Sequence, residues 1–186
     1  MKKIYFVAFL TVVLALGFAF YVNIKSTKAE ETQSGPHKEL IGMLKDSLFQ
    51  LGGKPDAKAL GKKKYVFVYF SASWCSPCRA FTPKLVEFYN ENKKNGDFEI
   101  LFVSRDKDAE EMEAYVKEDK MPWISVTHGS EAAKAIEKKY AGFGIPCLVL
   151  LNEKDEAIAS SYGKNNGYQG PGVALEKYKE LKKAEK

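Results

Sequence analysis

The sequence predicts an α/β fold in which one mixed sheet carries helices on both faces. Three observations lead there. Tyr65-Val-Phe-Val-Tyr-Phe70, Phe98-Glu-Ile-Leu-Phe-Val103 and Cys147-Leu-Val-Leu-Leu151 are near-continuous apolar runs, the pattern of strands buried on both faces. Between them lie segments with apolar residues at helical spacing. Alternation of the two kinds implies right-handed crossovers, which distribute helices over both faces of one sheet.

The elements follow in order. A weak strand is expected around Ser47–Phe49. Lys62-Lys63-Lys64 is a solvated entry to the first strong strand. Ser76 to Asn92 is predicted helical, with Phe81, Leu85, Phe88 and Tyr89 on one stripe. After the strand at 98–103, Asp108 to Glu118 is helical with acids early, where the helix dipole favours them. Glu110, Glu111 and Glu113 form its solvated face. Ile124 to Val126 is a short strand, and Ser130 opens a helix to Tyr140. Cys147–Leu151 and Ala157–Tyr162 are strands joined by a turn at Asn152-Glu-Lys-Asp155. Gly170-Pro171-Gly172 breaks the chain before a final amphipathic helix that ends in lysines.

The chain has 186 residues, 45% hydrophobic and 28% charged, which suits one domain of ordinary size with an appendage. Three cysteines exclude a disulfide-built scaffold. The appendage is the amino terminus. Met1-Lys2-Lys3 precedes 19 uncharged residues, Ile4 to Val22, and the first acid is Glu30. This is the layout of a bacterial export signal. Thr27-Lys28-Ala29 permits cleavage after Ala29, and the run is also long enough for a retained anchor. Residues 1–29 therefore read as signal peptide or membrane anchor, 30–38 as a polar tether, and 39–186 as the domain. Positive flanks stay inside, so the domain is expected in the periplasm, free or anchored to the inner membrane. The net charge is +5, of which Lys2, Lys3, Lys25 and Lys28 supply four. The near-neutral remainder has no nucleic-acid footprint.

The chemistry centres on Trp74-Cys-Ser-Pro-Cys78. Cys75 and Cys78 sit between a buried strand and a helix. A helix amino terminus carries partial positive charge and unpaired N–H groups, which stabilise a thiolate and lower its pKa. The second cysteine, three residues on, can reach the same sulfur and resolve a mixed disulfide. Pro77 fits the first turn, where its missing N–H costs nothing. A zinc site is the rival reading, but one cysteine pair falls short of the usual four ligands. His37 lies in the tether, and His128 reads as an ordinary turn residue. A purely structural disulfide is the other alternative.

Trp74-Cys-Ser-Pro-Cys-Arg-Ala-Phe-Thr-Pro83 resembles the active-site segment of the tryparedoxin and nucleoredoxin group of thioredoxin-like proteins. Val103-Ser-Arg-Asp106, Met121-Pro122-Trp123 and Gly144-Ile145-Pro146 resemble other signatures of that group, in the same order. The likeness covers roughly residues 40–180, and the closing β-β-α fits the thioredoxin-like fold. It implies Cys75 as nucleophile and Cys78 as resolving thiol. Trp74, Ser76, Pro77, Ile145 and Pro146 would form the substrate-docking surface. Pro146 would follow a cis bond and present the Ile145 backbone to an extended peptide. The group often has Pro where Ser76 stands. Tyr69 occupies the position of the buried acid found in many thioredoxins. A tyrosine, with an ordinary pKa of about 10, is no base near neutral pH.

Cys147 follows Pro146 directly. It reads as a small buried apolar residue or as a third thiol that modulates the pair. Arg79 is either an exposed helix residue or a modulator of charge beside Cys78, and Trp123 is a core or rim aromatic. The resulting expectation is an exported thiol–disulfide oxidoreductase that reduces or isomerises protein disulfides, needs no cofactor or metal, and draws electrons from a membrane or periplasmic donor. The uncharged Ser76-Pro77 insert favours a reductase. An oxidase on the same scaffold and a non-catalytic binding module are the alternatives.

Overall fold

The computed structural model describes residues 35–53, 55–163 and 165–185. The expected signal or anchor at 1–29 and the first part of the tether lie outside these residues. Among the described residues no helix is long and apolar enough to cross a membrane.

The elements are α1 (Lys38–Leu44), β1 (Leu48–Phe49), β2 (Tyr65–Ser71), α2 (Ser76–Asn92), β3 (Phe98–Ser104), α3 (Ala109–Glu118), β4 (Ile124–Val126), α4 (Glu131–Tyr140), β5 (Cys147–Leu151), β6 (Ala157–Ser160) and α5 (Gly172–Ala184). The six strands lie in the order β1-β4-β3-β2-β5-β6. β2 runs parallel to β3 and antiparallel to β5, which makes the sheet mixed, as expected.

β2 is central, and every residue of it is buried. Alternate side chains of a strand point to opposite faces, and β2 divides accordingly. Phe67 and Tyr69 join a cluster with Leu85 and Phe88 of α2, Tyr115 of α3 and Tyr178 of α5. Val66, Val68 and Phe70 join a second cluster with Leu40 and Leu44 of α1 and Ile136 and Tyr140 of α4. An apolar run without alternation is thus the signature of a sheet covered on both faces.

The folded unit begins earlier than the tether expectation placed it, at Gly35. His37 is fully buried. Its Nδ1 lies 2.8 Å from the Asp155 carboxylate, and the other Asp155 oxygen accepts the Glu39 and Leu40 amides at 2.9 and 3.0 Å. One carboxylate in the β5–β6 turn therefore caps α1 and holds His37. The composition around Ser34-Gly35-Pro36 could not show this, because the partner lies 118 residues away.

Candidate active site

β2 delivers the chain at Ser71, and a short loop leads to Cys75, the N-cap of the 17-residue α2. Cys75 is extended, with φ −88° and ψ 102°, and its sulfur accepts the Cys78 amide at 3.3 Å. A sulfur thus stands where a serine or aspartate oxygen commonly caps a helix. Cys75 and Cys78 are joined as a disulfide, with Cα atoms 5.2 Å apart. Cys75 is 6% exposed and Cys78 is fully buried, while Ser76 and Pro77 between them are exposed. Access to the pair is through Cys75.

The loop is clamped from β3. One Asp106 oxygen accepts both the amide and the hydroxyl of Ser73, at 2.7 Å each, and the other accepts the Ser104 hydroxyl at 2.7 Å. Asp106 is buried. The Trp74 indole N–H donates to the Arg105 carbonyl at 3.2 Å, and the ring is 64% exposed. His128 is also tied in, with Nε2 2.9 Å from the Asp106 carbonyl. His128 stands in a turn, as expected, and touches the residue that holds the loop. Its position three elements downstream of the cysteines hid that contact.

The Ile145–Pro146 peptide is cis. The Ile145 carbonyl lies 3.8 Å from the Cys75 sulfur, and Ile145 packs against Cys75, Cys78 and Ala72. The structure thus brings Trp74, Cys75, Ile145 and Pro146 to one end of the sheet. Cys147 is fully buried and belongs to the cluster of Val66, Val68 and Phe70, not to that of the redox pair. Burial raises its thiol pKa, opposed by the Gly142 backbone and Arg105. Arg79 points away from the pair. Its guanidinium pairs with Glu118 at 3.1 Å and Asp119 at 3.3 Å and lies over the Tyr115 ring. Trp123 is buried against Tyr69 and Tyr89.

Behind Cys78 lies a network of hydroxyls rather than an acid. The Thr82 hydroxyl donates to the Cys78 carbonyl at 3.0 Å. It also lies 2.9 Å from the Tyr69 hydroxyl and 2.6 Å from that of Tyr115, which in turn meets Ser71 at 2.9 Å. Each hydroxyl has one proton. With the Thr82 proton committed to Cys78, Tyr69 and Tyr115 must donate to Thr82, and Ser71 to Tyr115. Burial, followed by the neighbouring Tyr115, pushes the Tyr69 phenol far above its ordinary value, so Tyr69 stays protonated. Among the described residues no group of three His, Cys, Asp or Glu side chains could hold a metal ion.

Residues 62–158 match the thioredoxin-like family. The chain belongs to that family. Its curated relatives include probable nucleoredoxin 1 of Arabidopsis thaliana, 42% identical over 110 residues, 57% of this chain. Tryparedoxin of Trypanosoma brucei brucei is 34% identical over 109 residues, 58% of this chain and 74% of that protein. A thioredoxin structure from Wuchereria bancrofti is 38% identical, with a TM-score of 0.55 over 67% of this chain and 86% of that one. Tryparedoxin I from Leishmania major is 39% identical, with a TM-score of 0.53 over 61% of this chain and 78% of that one. The chain spans only 19% of the Arabidopsis nucleoredoxin. The thioredoxin-like fold and the tryparedoxin and nucleoredoxin kinship expected from the motifs are both found.

Proposed function

We propose that this thioredoxin-like protein is an exported thiol–disulfide oxidoreductase that reduces or isomerises disulfides of extracytoplasmic proteins. The observation that carries this is the Cys75–Cys78 disulfide at the start of α2, with the Cys78 amide directed at the Cys75 sulfur. Once the pair is reduced, that N–H and the helix dipole favour the Cys75 thiolate. The thiolate attacks a substrate disulfide, forming a mixed disulfide and expelling one substrate thiolate. Cys78, deprotonated, then attacks the Cys75 sulfur and expels the second. Two electrons pass to the substrate, and the two protons lost by the cysteines are taken up by its thiolates. With hydroxyls rather than an acid behind Cys78, its proton passes to water. A membrane or periplasmic dithiol donor would restore the reduced pair.

Export rests on the uncharged run Ile4 to Val22 behind Lys2 and Lys3. The chain enters the domain at Gly35, and the His37 amide donates to the Glu153 carbonyl, in the turn at the far end of β5 from Pro146.

The test is the reduction potential of the full chain in detergent, equilibrated against thiol buffers. A value near about −270 mV or below supports the reductase, whereas one near about −120 mV replaces it with an oxidase. Failure of the reduced pair to exchange with any disulfide makes the domain a binding module. Export is tested by adding a membrane-impermeant maleimide to intact, mildly reduced cells. Cys75 should be labelled, and protection until lysis removes that part of the reading.

A further inference from the structure

Large apolar side chains that stand exposed among the described residues are Leu51, Trp74, Phe143, Tyr168 and Val173. Three of them rim the redox pair. Trp74 precedes Cys75, Phe143 stands two residues before Ile145, and the Tyr168 hydroxyl donates to the Pro146 carbonyl at 3.2 Å. Single exposed apolar residues need no explanation, but a cluster beside a reactive group marks a contact surface.

This wall is held in place. Tyr162 lies between Phe143 and Tyr168, with ring centroids 6.4 and 5.2 Å away, and forms a β-bridge with Tyr168. Its ring rests on glycine backbone: a Cβ at Gly142 would stand 2.0 Å from Tyr162 Cδ2, and one at Gly144 2.9 Å from its hydroxyl. Phe143, between these glycines, is turned outward and is 81% exposed. Arg105 ties Trp74 to the same segment. Its carbonyl accepts the indole N–H, and its guanidinium donates to the Gly142 carbonyl at 3.3 Å and to Glu137 at 2.7 Å. Next to Tyr168 a concavity of about 460 Å³ is lined by Gly163, Asn165, Gly167, Tyr168 and Gln169. Side-chain and backbone amides both donate and accept, so this lining matches a peptide backbone.

We propose that Phe143 and Tyr168, supported by Tyr162, select the substrate by receiving a large apolar side chain. That side chain belongs to an extended protein segment and lies a few residues from the cysteine that reacts with Cys75. The amide-lined concavity takes the backbone of the same segment. Cys75 is 6% exposed, so a protein disulfide that reaches it comes into contact with the surface around it. The assignment rests on the exchange reaction proposed above.

The experiment uses the full chain in detergent, pre-reduced, with two disulfide peptides of equal length and charge. One carries Phe a few residues from the cysteine and the other Ser at the same place, and a small aromatic disulfide reports exchange itself. The wild type should reduce the Phe peptide roughly tenfold faster, about 1.4 kcal/mol. Phe143→Ser and Tyr168→Ser should each pull that ratio towards one, while Tyr168→Phe retains most of it. The ratio is the readout, so a general loss of activity in a variant does not imitate the effect. Equal rates on the two peptides with the wild type, or a ratio that survives both serine variants, overturns the assignment while leaving the exchange reaction standing. No reaction even with the small disulfide removes the exchange reaction, and this inference with it.

Discussion

A single carboxylate oxygen of Asp106 accepts both the amide and the hydroxyl of Ser73. The loop that carries Trp74 and Cys75 is therefore anchored to the end of β3. Asp106→Ala leaves the Ser73 donors and the Ser104 hydroxyl without their acceptor, at a cost of about 2–4 kcal/mol. Ser73→Ala removes only one bond and should cost about 1 kcal/mol. Urea unfolding of both variants checks the order; a smaller loss in Asp106→Ala than in Ser73→Ala contradicts the anchoring role.

The direction of the hydroxyl network behind Cys78 makes Thr82 its centre. Thr82→Val strands two buried phenol donors and should cost about 2–4 kcal/mol. Tyr69→Phe leaves Thr82 with the Tyr115 donor and its own bond to Cys78, so about 0.5–1.5 kcal/mol is expected. If Tyr69→Phe proves the costlier change, the proton assignment is wrong.

Glu99 on β3 accepts the Ile100 amide through one oxygen, at 2.9 Å. Burial raises its pKa above the ordinary 4.5, only partly offset by the Ile100 amide and Tyr89. A raised folded-state pKa means that the folded state binds the proton more tightly. The contribution to stability is then complete below the ordinary value and is lost as pH rises through the folded value. Glu99→Gln keeps an acceptor without the charge. It should gain on wild type as pH rises from 4 to 7, read as diverging urea midpoints, and parallel midpoints refute the assignment.

Cys147 is a buried thiol with a raised pKa, and the thiolate is the reactive form. In the reduced native protein iodoacetamide should modify Cys75 first, with Cys147 slower by on the order of a hundredfold or more. Mass spectrometry of the digest reads this directly. Cys147→Ser should leave exchange rates within about twofold, the outcome expected of a thiol outside the reaction. A large change would make it a third redox group.

The elements were legible in the sequence because each is written locally. The run 65–70 shows a buried strand, and the stripe from Phe81 to Tyr89 shows the helix behind the cysteines. The cysteine pair was also readable from its three-residue spacing, and the Gly144-Ile145-Pro146 segment through its resemblance to the tryparedoxin and nucleoredoxin group. The anchors were not. Asp106 reaches Ser73 across 33 residues and His37 reaches Asp155 across 118, and no periodicity links such pairs. Tyr162 reads in the sequence only as the end of the strand from Ala157, although that strand stops at Ser160, and Tyr168 carries no local signal.

The sequence by itself determined the order of strands and helices, the two-sided burial of the central strand and the position of the redox pair at a helix start. These follow from side-chain period, capping and spacing, which act over one or two turns. The tertiary structure decided that Cys75 is the reachable sulfur, that Cys147 is walled off in the other cluster and that Arg79 serves α3. It also seated Tyr168 on the Pro146 carbonyl. These outcomes depend on which side chains from distant segments compete for the same buried space and the same hydrogen-bonding groups. That competition is settled only when the sheet brings those segments together.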